Sequence, residues 1–262
     1  MIMLGCLRRL PLKSCGNPWR CLASASPSVE GKKRRYDCLF LDVAGTLLLP
    51  AQPVGFVYRE FAAKRGIQIS EEKILEQYRR AFQTRPKKEP WAQSTLRYVG
   101  DARDFWRYIV QEATGSSDEI LFETLYSYYG KAEAWSIPDG AVDALERLKD
   151  EGVKTAVVSN FDTRLRPLLH DLKLGHLFDQ VVCSAEVKAE KPNPVIFEKG
   201  LEMVGMEPWQ VVHVGDDRRN DLWGARDAGI DVWLWGVDVK SYKDIADRIL
   251  GENVDGDSEF AL

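Results

Sequence analysis

Gln210–Trp235 reads QVVHVGDDRRNDLWGARDAGIDVWLW, and the order of its patterns decides the fold. Gln210–Val214 is a short apolar run, Asp221–Ala228 carries helical spacing, and Asp231–Trp235 returns to an apolar run. Strands this short and apolar on both sides need cover on both faces, which a parallel sheet between helices supplies. The same alternation reaches back to Pro138. Asp139 is placed to cap a helix that runs through Lys149 and stops at Gly152. Lys154–Val158 (KTAVV) reads as a strand, Thr163–Leu172 as a helix, Gln180–Ser184 (QVVCS) as a strand and Pro194–Val204 as a helix. Downstream, Tyr242–Leu250 is a further helix.

Upstream the pattern differs. Tyr36–Leu41 (YDCLFL) is one more buried strand, broken soon after by Gly45, and Pro50 and Pro53 then punctuate the chain. Val54–Lys64, Glu71–Phe82, Ala102–Ala113 and Asp118–Tyr129 all show three- and four-residue apolar spacing. Ser70 and Ser117, each followed by acidic residues, look like capped helix starts, and Thr84–Gln93 reads as a loop. One strand before an all-helical block and several after it predict a doubly wound α/β core. That core takes residues 36–50 and 138–250, with a helical cap at 51–137 and a loose acidic tail at 251–262.

Composition narrows the function. The 262 residues are 45% hydrophobic and 10% aromatic, enough for a well-buried core, and the formal charge of −4 carries no basic stripe for nucleic acid. No run reaches the roughly 18 apolar residues of a membrane span. Residues 1–29 hold Arg8, Arg9, Lys13 and Arg20, four serines and no Asp or Glu, the composition of an organellar transit peptide. The expectation is import into a plastid or mitochondrion, with the cytoplasm as the other reading. Cys6, Cys15 and Cys21 lie in that leader, while Cys38 and Cys183 fall on apparent strands. None belongs to a CxxC or Cys/His cluster, so neither zinc nor a disulfide framework is expected.

In such a sheet, ligands bind at the carboxyl ends of the strands. Those ends carry Asp42-Val-Ala44-Gly45-Thr46, then Ser159-Asn160, then Lys191-Pro192-Asn193-Pro194 ahead of the next helix, then Gly215-Asp216 through Asp221. Any one alone is ordinary turn chemistry. Together they bring carboxylates, a lysine and hydroxyls to one edge. Clustered carboxylates need a cation between them, and hard oxygen ligands call for Mg²⁺. A carboxylate nucleophile beside a cation suits phosphoryl transfer. His213 sits within a strand and reads as core, and His170 and His176 fall among apolar helix positions, so nothing supports a histidine mechanism.

The order D-x-x-G-T, S-N, K-P-x-P and G-D-x-x-x-x-D resembles the four motifs of the haloacid dehalogenase-like (HAD) hydrolase superfamily, across Tyr36–Leu250. The helical block between the first two motifs resembles subfamily I. VSNFD (158–162), HVGDD (213–217) and KPNPVIF (191–197) are similar to the HAD-like hydrolase domain-containing protein 3 group. The resemblance implies Asp42 as nucleophile and metal ligand, with Gly45, Thr46, Ser159 and Asn160 binding phosphate. It implies Lys191 neutralising nucleophile and phosphoryl group, Asp216 ligating Mg²⁺, and Asp221 supporting the metal's water shell or Lys191. The Ala44 carbonyl would be a further metal contact. The substrate so implied is a small phosphorylated molecule.

One position departs. Phosphatases of this superfamily carry an Asp two residues after the nucleophile to protonate the leaving oxygen, and this chain has Ala44 there. Loss of a general acid costs ~10²–10⁴-fold in rate. Three readings follow: a Mg²⁺-dependent hydrolase with weakened turnover, a catalytically silent phosphate-ligand binder or partner protein, and a hydrolase resembling phosphonoacetaldehyde hydrolase. The last would need a cap lysine as Schiff base, with Lys73, Lys87 and Lys88 the candidates. A metal-free haloacid dehalogenase fits less well, since Asp216 and Asp221 would be unneeded. Arg79, Arg80, Arg85, Trp91, Arg97 and Tyr98 are specificity candidates by location in the cap, and the choice between monomer and homodimer stays open.

Overall fold

A computed structural model describes residues 34–84 and 96–252. The leader with its three cysteines, Arg85, Lys87, Lys88, Trp91 and the tail beyond 252 lie outside the described residues. The elements begin with β1 (Cys38–Leu41) and a two-residue β2 (Leu49–Pro50). Helices α1 (Val54–Lys64), α2 (Glu71–Gln83), α3 (Arg103–Thr114) and α4 (Glu119–Tyr129) follow, then β3 (Trp135–Ser136) and α5 (Ala141–Asp150). Next come β4 (Lys154–Ser159), α6 (Leu165–Asp171), β5 (Gln180–Cys183), α7 (Ser184–Val187) and α8 (Val195–Val204). The last are β6 (Val211–Gly215), α9 (Gly224–Asp227), β7 (Asp231–Leu234) and α10 (Tyr242–Ile249).

Strands β5-β4-β1-β6-β7 form one parallel sheet with β1 at its centre. From β1 the chain goes first to β4 on one side and later to β6 on the other, which makes the end of β1 the switch point of the sheet. The unbroken apolar run in β1 now has its reason. Leu39 and Leu41 face Leu145, Leu168 and Ile245, whereas Cys38 and Phe40 face Ile196, Phe197 and Leu201. A strand buried on both faces has no polar position to spare, and each such Leu or Phe stabilises by ~1.5–3 kcal/mol. Cys38 and Cys183 are buried and unbridged, as packing residues.

The four helices after β2 build cores of their own: Tyr58, Ile74, Val110, Phe122 and Leu125 in one cluster, Ala81, Phe105 and Ile109 in another. The chain enters and leaves this helical insertion through β2 and β3, which pair antiparallel, Leu49 opposite Ser136. That pairing was not read from the sequence, because a two-residue strand has no periodicity.

Local details differ from the sequence reading at several helix starts. Ser70 caps α2 as expected, accepting from the Lys73 amide. At α4 the cap is Asp118 rather than Ser117, with its carboxylate accepting from the Leu121 amide at 2.8 Å. Asp139 does not cap α5, since Gly140 occupies the N-cap in a left-handed conformation. The helix expected from Asp221 begins earlier, as a wide π-type turn over Arg218–Trp223. Asp217 starts it by accepting from the Arg219 and Asn220 amides. His170 and His176 are solvent-exposed rather than packed among apolar neighbours. Among the described residues, no helix is long and apolar enough to cross a membrane.

Candidate active site

Three strand ends and one loop meet at the switch point. β1 delivers Asp42, β4 delivers Ser159 and Asn160, β6 delivers Gly215 and Asp216, and the stretch between α7 and α8 delivers Lys191. Asp42, Ala44, Ser159, Asn160, Lys191, Asp216 and Asp221 line a pocket of about 180 Å³. These sequence-predicted residues converge, while Gly45 and Thr46 are not in the pocket lining. Thr46 is fully buried, and its hydroxyl donates to Asp216 Oδ1 at 3.3 Å from behind the pocket wall.

Lys191 is 4% exposed, and its Nζ sits 2.7 Å from Asp42 Oδ1 and 2.6 Å from Asp221 Oδ1. Burial alone would lower the ammonium's pKa, but the Asp221 and Asp42 carboxylates outweigh it and the lysine stays charged, its pKa raised. Asp221 is fully buried and its oxygens are committed. Oδ1 also meets His213 Nε2 at 2.9 Å, and Oδ2 accepts from the Asp217 amide at 2.9 Å. Burial opposes its ionisation, yet Lys191 and His213 together hold it well below the usual carboxylate range. For Asp42, burial and the nearby Asp221 charge outweigh Lys191, and its pKa is raised. Asp216 stands at the pocket mouth, and its pKa is pushed up to about 6 by desolvation and by the charges of Asp42 and Asp221.

Backbone features make this crowding possible. Gly45 has φ +94°, and a Cβ there would come within 2.5 Å of Asp216 Oδ2. A Cβ on Gly215 would lie 2.2 Å from Asp221 Cγ, so only glycine lets that carboxylate lie against β6. The Asn160 side chain fixes Lys191 from the other side: its amide donates to the Lys191 carbonyl at 3.0 Å, and its carbonyl accepts from the Lys191 amide at 2.7 Å. Ser159 Oγ is buried with no hydrogen-bond partner among the described residues, an oxygen waiting for something in the pocket.

The donor set fits a hard divalent cation. Carboxylate oxygens of Asp42, Asp216 and Asp221 lie within 4.8 Å of one another, and only Lys191 among the described pocket residues offsets them. The elevated Asp216 pKa expresses the same unmet charge.

Sequence reasoning missed three contacts here. His213 was read as core; it is buried, but it hydrogen-bonds Asp221, eight residues on and across a loop. Asp162, also fully buried, is gripped by Arg164 and by the Trp106 indole at 3.0 Å, tying the helical insertion to the sheet. Glu190, next to Lys191, accepts from the amides of Arg97 and Tyr98. Of the specificity candidates, Tyr98 lines the pocket. Arg97 borders a neighbouring one with Glu190 and Arg219, while Arg79 and Arg80 are exposed on α2. Lys73 is also exposed and pairs with Glu76 at 2.9 Å.

Comparison with known proteins points to one family. The profile of the haloacid dehalogenase-like hydrolases matches residues 36–229. The chain is 34% identical over 200 residues to the haloacid dehalogenase-like hydrolase domain-containing protein 3 of Xenopus laevis, covering 74% of this chain and 81% of that one. Among solved structures it is similar to a HAD phosphatase from Thermococcus onnurineus, with a TM-score of 0.54 at 24% identity over 82% of this chain and 94% of that one. A dehalogenase in an intermediate complex gives a TM-score of 0.61 at 20% identity, covering 80% and 88%. At such identities these two neighbours speak for the fold.

Proposed function

The chain belongs to the haloacid dehalogenase-like hydrolase family, and on that premise we propose that it hydrolyses a small phosphorylated molecule, with Mg²⁺, through a phosphoryl group carried on Asp42. The observation that carries this reading is the pairing of Asp42 with a buried, charged Lys191, inside a triad of carboxylates that asks for a cation. A metal-free attack on carbon has no use for that triad.

Asp42, Asp216 and the Ala44 carbonyl would hold the ion, with Asp221 close by. When bound, it would draw off the charge of the phosphoryl oxygens. The remaining steps belong to the chain itself. A free oxygen of Asp42 attacks phosphorus, the bond from phosphorus to the leaving oxygen breaks, and the electron pair departs with that oxygen. Lys191 holds Asp42 in line and offsets the phosphoryl charge, while Asp221 keeps Lys191 charged and aimed. The unpartnered Ser159 hydroxyl is placed to donate to a phosphoryl oxygen. Thr46, committed to Asp216, orients that carboxylate. Water then attacks phosphorus, freeing Asp42 and inorganic phosphate. Ala44 offers no proton to the leaving oxygen, so esters with good leaving groups are favoured.

A second reading draws on Ala44 itself: a protein that binds a phosphorylated ligand and does not turn it over. Mg²⁺-dependent turnover of an aryl phosphate by wild type and by Asp42→Asn separates the two. Asp42→Asn keeps the shape and removes the attacking charge, and the expected loss is ~10⁴-fold or more, as for other covalent nucleophiles. Equal background rates for both proteins would establish the binder instead.

A further inference from the structure

Beside the phosphate pocket lies a larger cavity of about 320 Å³, between the helical insertion and the sheet. The two share Ala44, Tyr98 and Asn160 in their walls, so a molecule whose phosphate reaches Asp42 extends past the Ala44 methyl group into this second space. Tyr58, Tyr78, Phe82, Tyr98, Trp106 and Tyr129 contribute its aromatic walls. Many of these rings already meet edge to face, as Tyr58 does with Tyr78 at 5.7 Å between centroids.

Unpaired charge is missing from the described part of this lining. Among the described residues that form it, Arg164 is the one cation, and it is neutralised. Its Nε and Nη2 hold both oxygens of the buried Asp162 at 2.9 and 2.7 Å, its Nη1 donates to the Tyr126 carbonyl at 2.8 Å, and its guanidinium stacks 3.8 Å from the Tyr126 ring centroid. Among the described residues of this lining, no free cation remains to receive a carboxylate or second phosphate on the substrate.

We propose that the substrate is a phosphate monoester whose leaving group is an uncharged aromatic ring system, seated in this cavity. This rests on the hydrolase chemistry proposed above. A cavity of ~150 Å³ holds a benzene ring, so this one has room for about two fused rings. The leaving-group chemistry agrees independently. A phenol ionises near pH ~10, as tyrosine does, so a phenolate departs without the proton that Ala44 cannot give. The small, apolar Ala44 then serves as the passage between the two pockets.

The test uses the full chain and three probes: 2-naphthol, 2-naphthyl phosphate, and the same ester with a carboxylate on the distal ring. Calorimetry should show saturable binding of 2-naphthol, weakened about fivefold or more in Val54→Arg, which sets a charge in the cavity wall. With Mg²⁺, kcat/KM should be at least about tenfold higher for the neutral ester, since an unpaired carboxylate is costly to bury. Val54→Arg, in the cavity wall, should also shrink or invert that preference. Naphthol binding without hydrolysis of either ester would leave the cavity assignment standing and remove the hydrolase reading. Mg²⁺-dependent hydrolysis that favours the carboxylated ester, with no naphthol binding, would overturn the cavity assignment and keep the hydrolase.

Discussion

The two adjoining pockets are built on opposite physical terms. The smaller is all charge: Asp42, Lys191 and Asp221 are buried together, and a glycine or an amide holds each in its place. The larger is lined mainly by aromatic and aliphatic side chains, and the one cation among its described residues is already spent on Asp162. In the first, removing any member leaves another charge without its partner. In the second, most members are interchangeable as surface. The comparison teaches where tolerance lies. The charged pocket defines the reaction and admits little change, and the aromatic cavity defines the ligand and can drift.

Lys191→Met attacks this contrast where it is sharpest. It strands Asp42 and Asp221 without their cation, and breaking such a buried pair costs about 3–5 kcal/mol. Chemical denaturation should show that loss together with loss of turnover, whereas Phe82→Leu in the aromatic cavity should cost far less stability. Equal destabilisation by both would mean the two regions do not differ as described.

Ala44→Asp moves the boundary by putting a carboxylate where the pockets meet. The expected gain in kcat/KM is ~10-fold or more on alkyl phosphates, which need leaving-group protonation, and smaller on aryl phosphates. A loss on both classes, with the fold intact, would show a site organised around other chemistry.

A subtler effect concerns Asp216. Its pKa, about 6, lies above that of an unfolded aspartate, so the folded metal-free protein holds this proton more tightly than the unfolded chain. That contribution favours the fold at low pH and is lost as pH rises from about 4 through about 6. A divalent cation replaces the proton and offsets the loss. The rise in melting temperature on adding Mg²⁺ should therefore be larger at pH 7 than at pH 5, and absent in Asp216→Ala. A shift independent of pH would place the cation elsewhere.

The charged pocket was legible in the sequence because its parts are local. Asp42, Ser159 and Asp216 each follow directly on an apolar strand, and a parallel sheet sends all such ends to one edge. The fold class was legible for the same reason, through strands short and wholly apolar. What was hidden depends on pairings between distant residues. Trp106 reaches Asp162 across 56 positions, Glu190 reaches Tyr98 across 92, and the rings of the larger cavity come from several helices and two loops. Their three- and four-residue spacing announces a buried face and says nothing of whether that face is filled or hollow. His213 was read as core and is buried, but its hydrogen bond to Asp221 forms only where the chain doubles back beside β6 and was not legible.

The double hydrogen bond from Asn160 to the backbone of Lys191 carries a consequence for the timing of order. A free lysine side chain gives up about 2 kcal/mol of rotamer entropy when it is immobilised. Here that disorder is surrendered when the chain folds, since the backbone is clasped by β4 and the ammonium is caught between two carboxylates. An arriving phosphate meets a cation already at rest, and none of its binding energy is diverted to stilling one. Asn160→Ala should hand that freedom back, and calorimetry would read it as a less favourable entropy of phosphate binding.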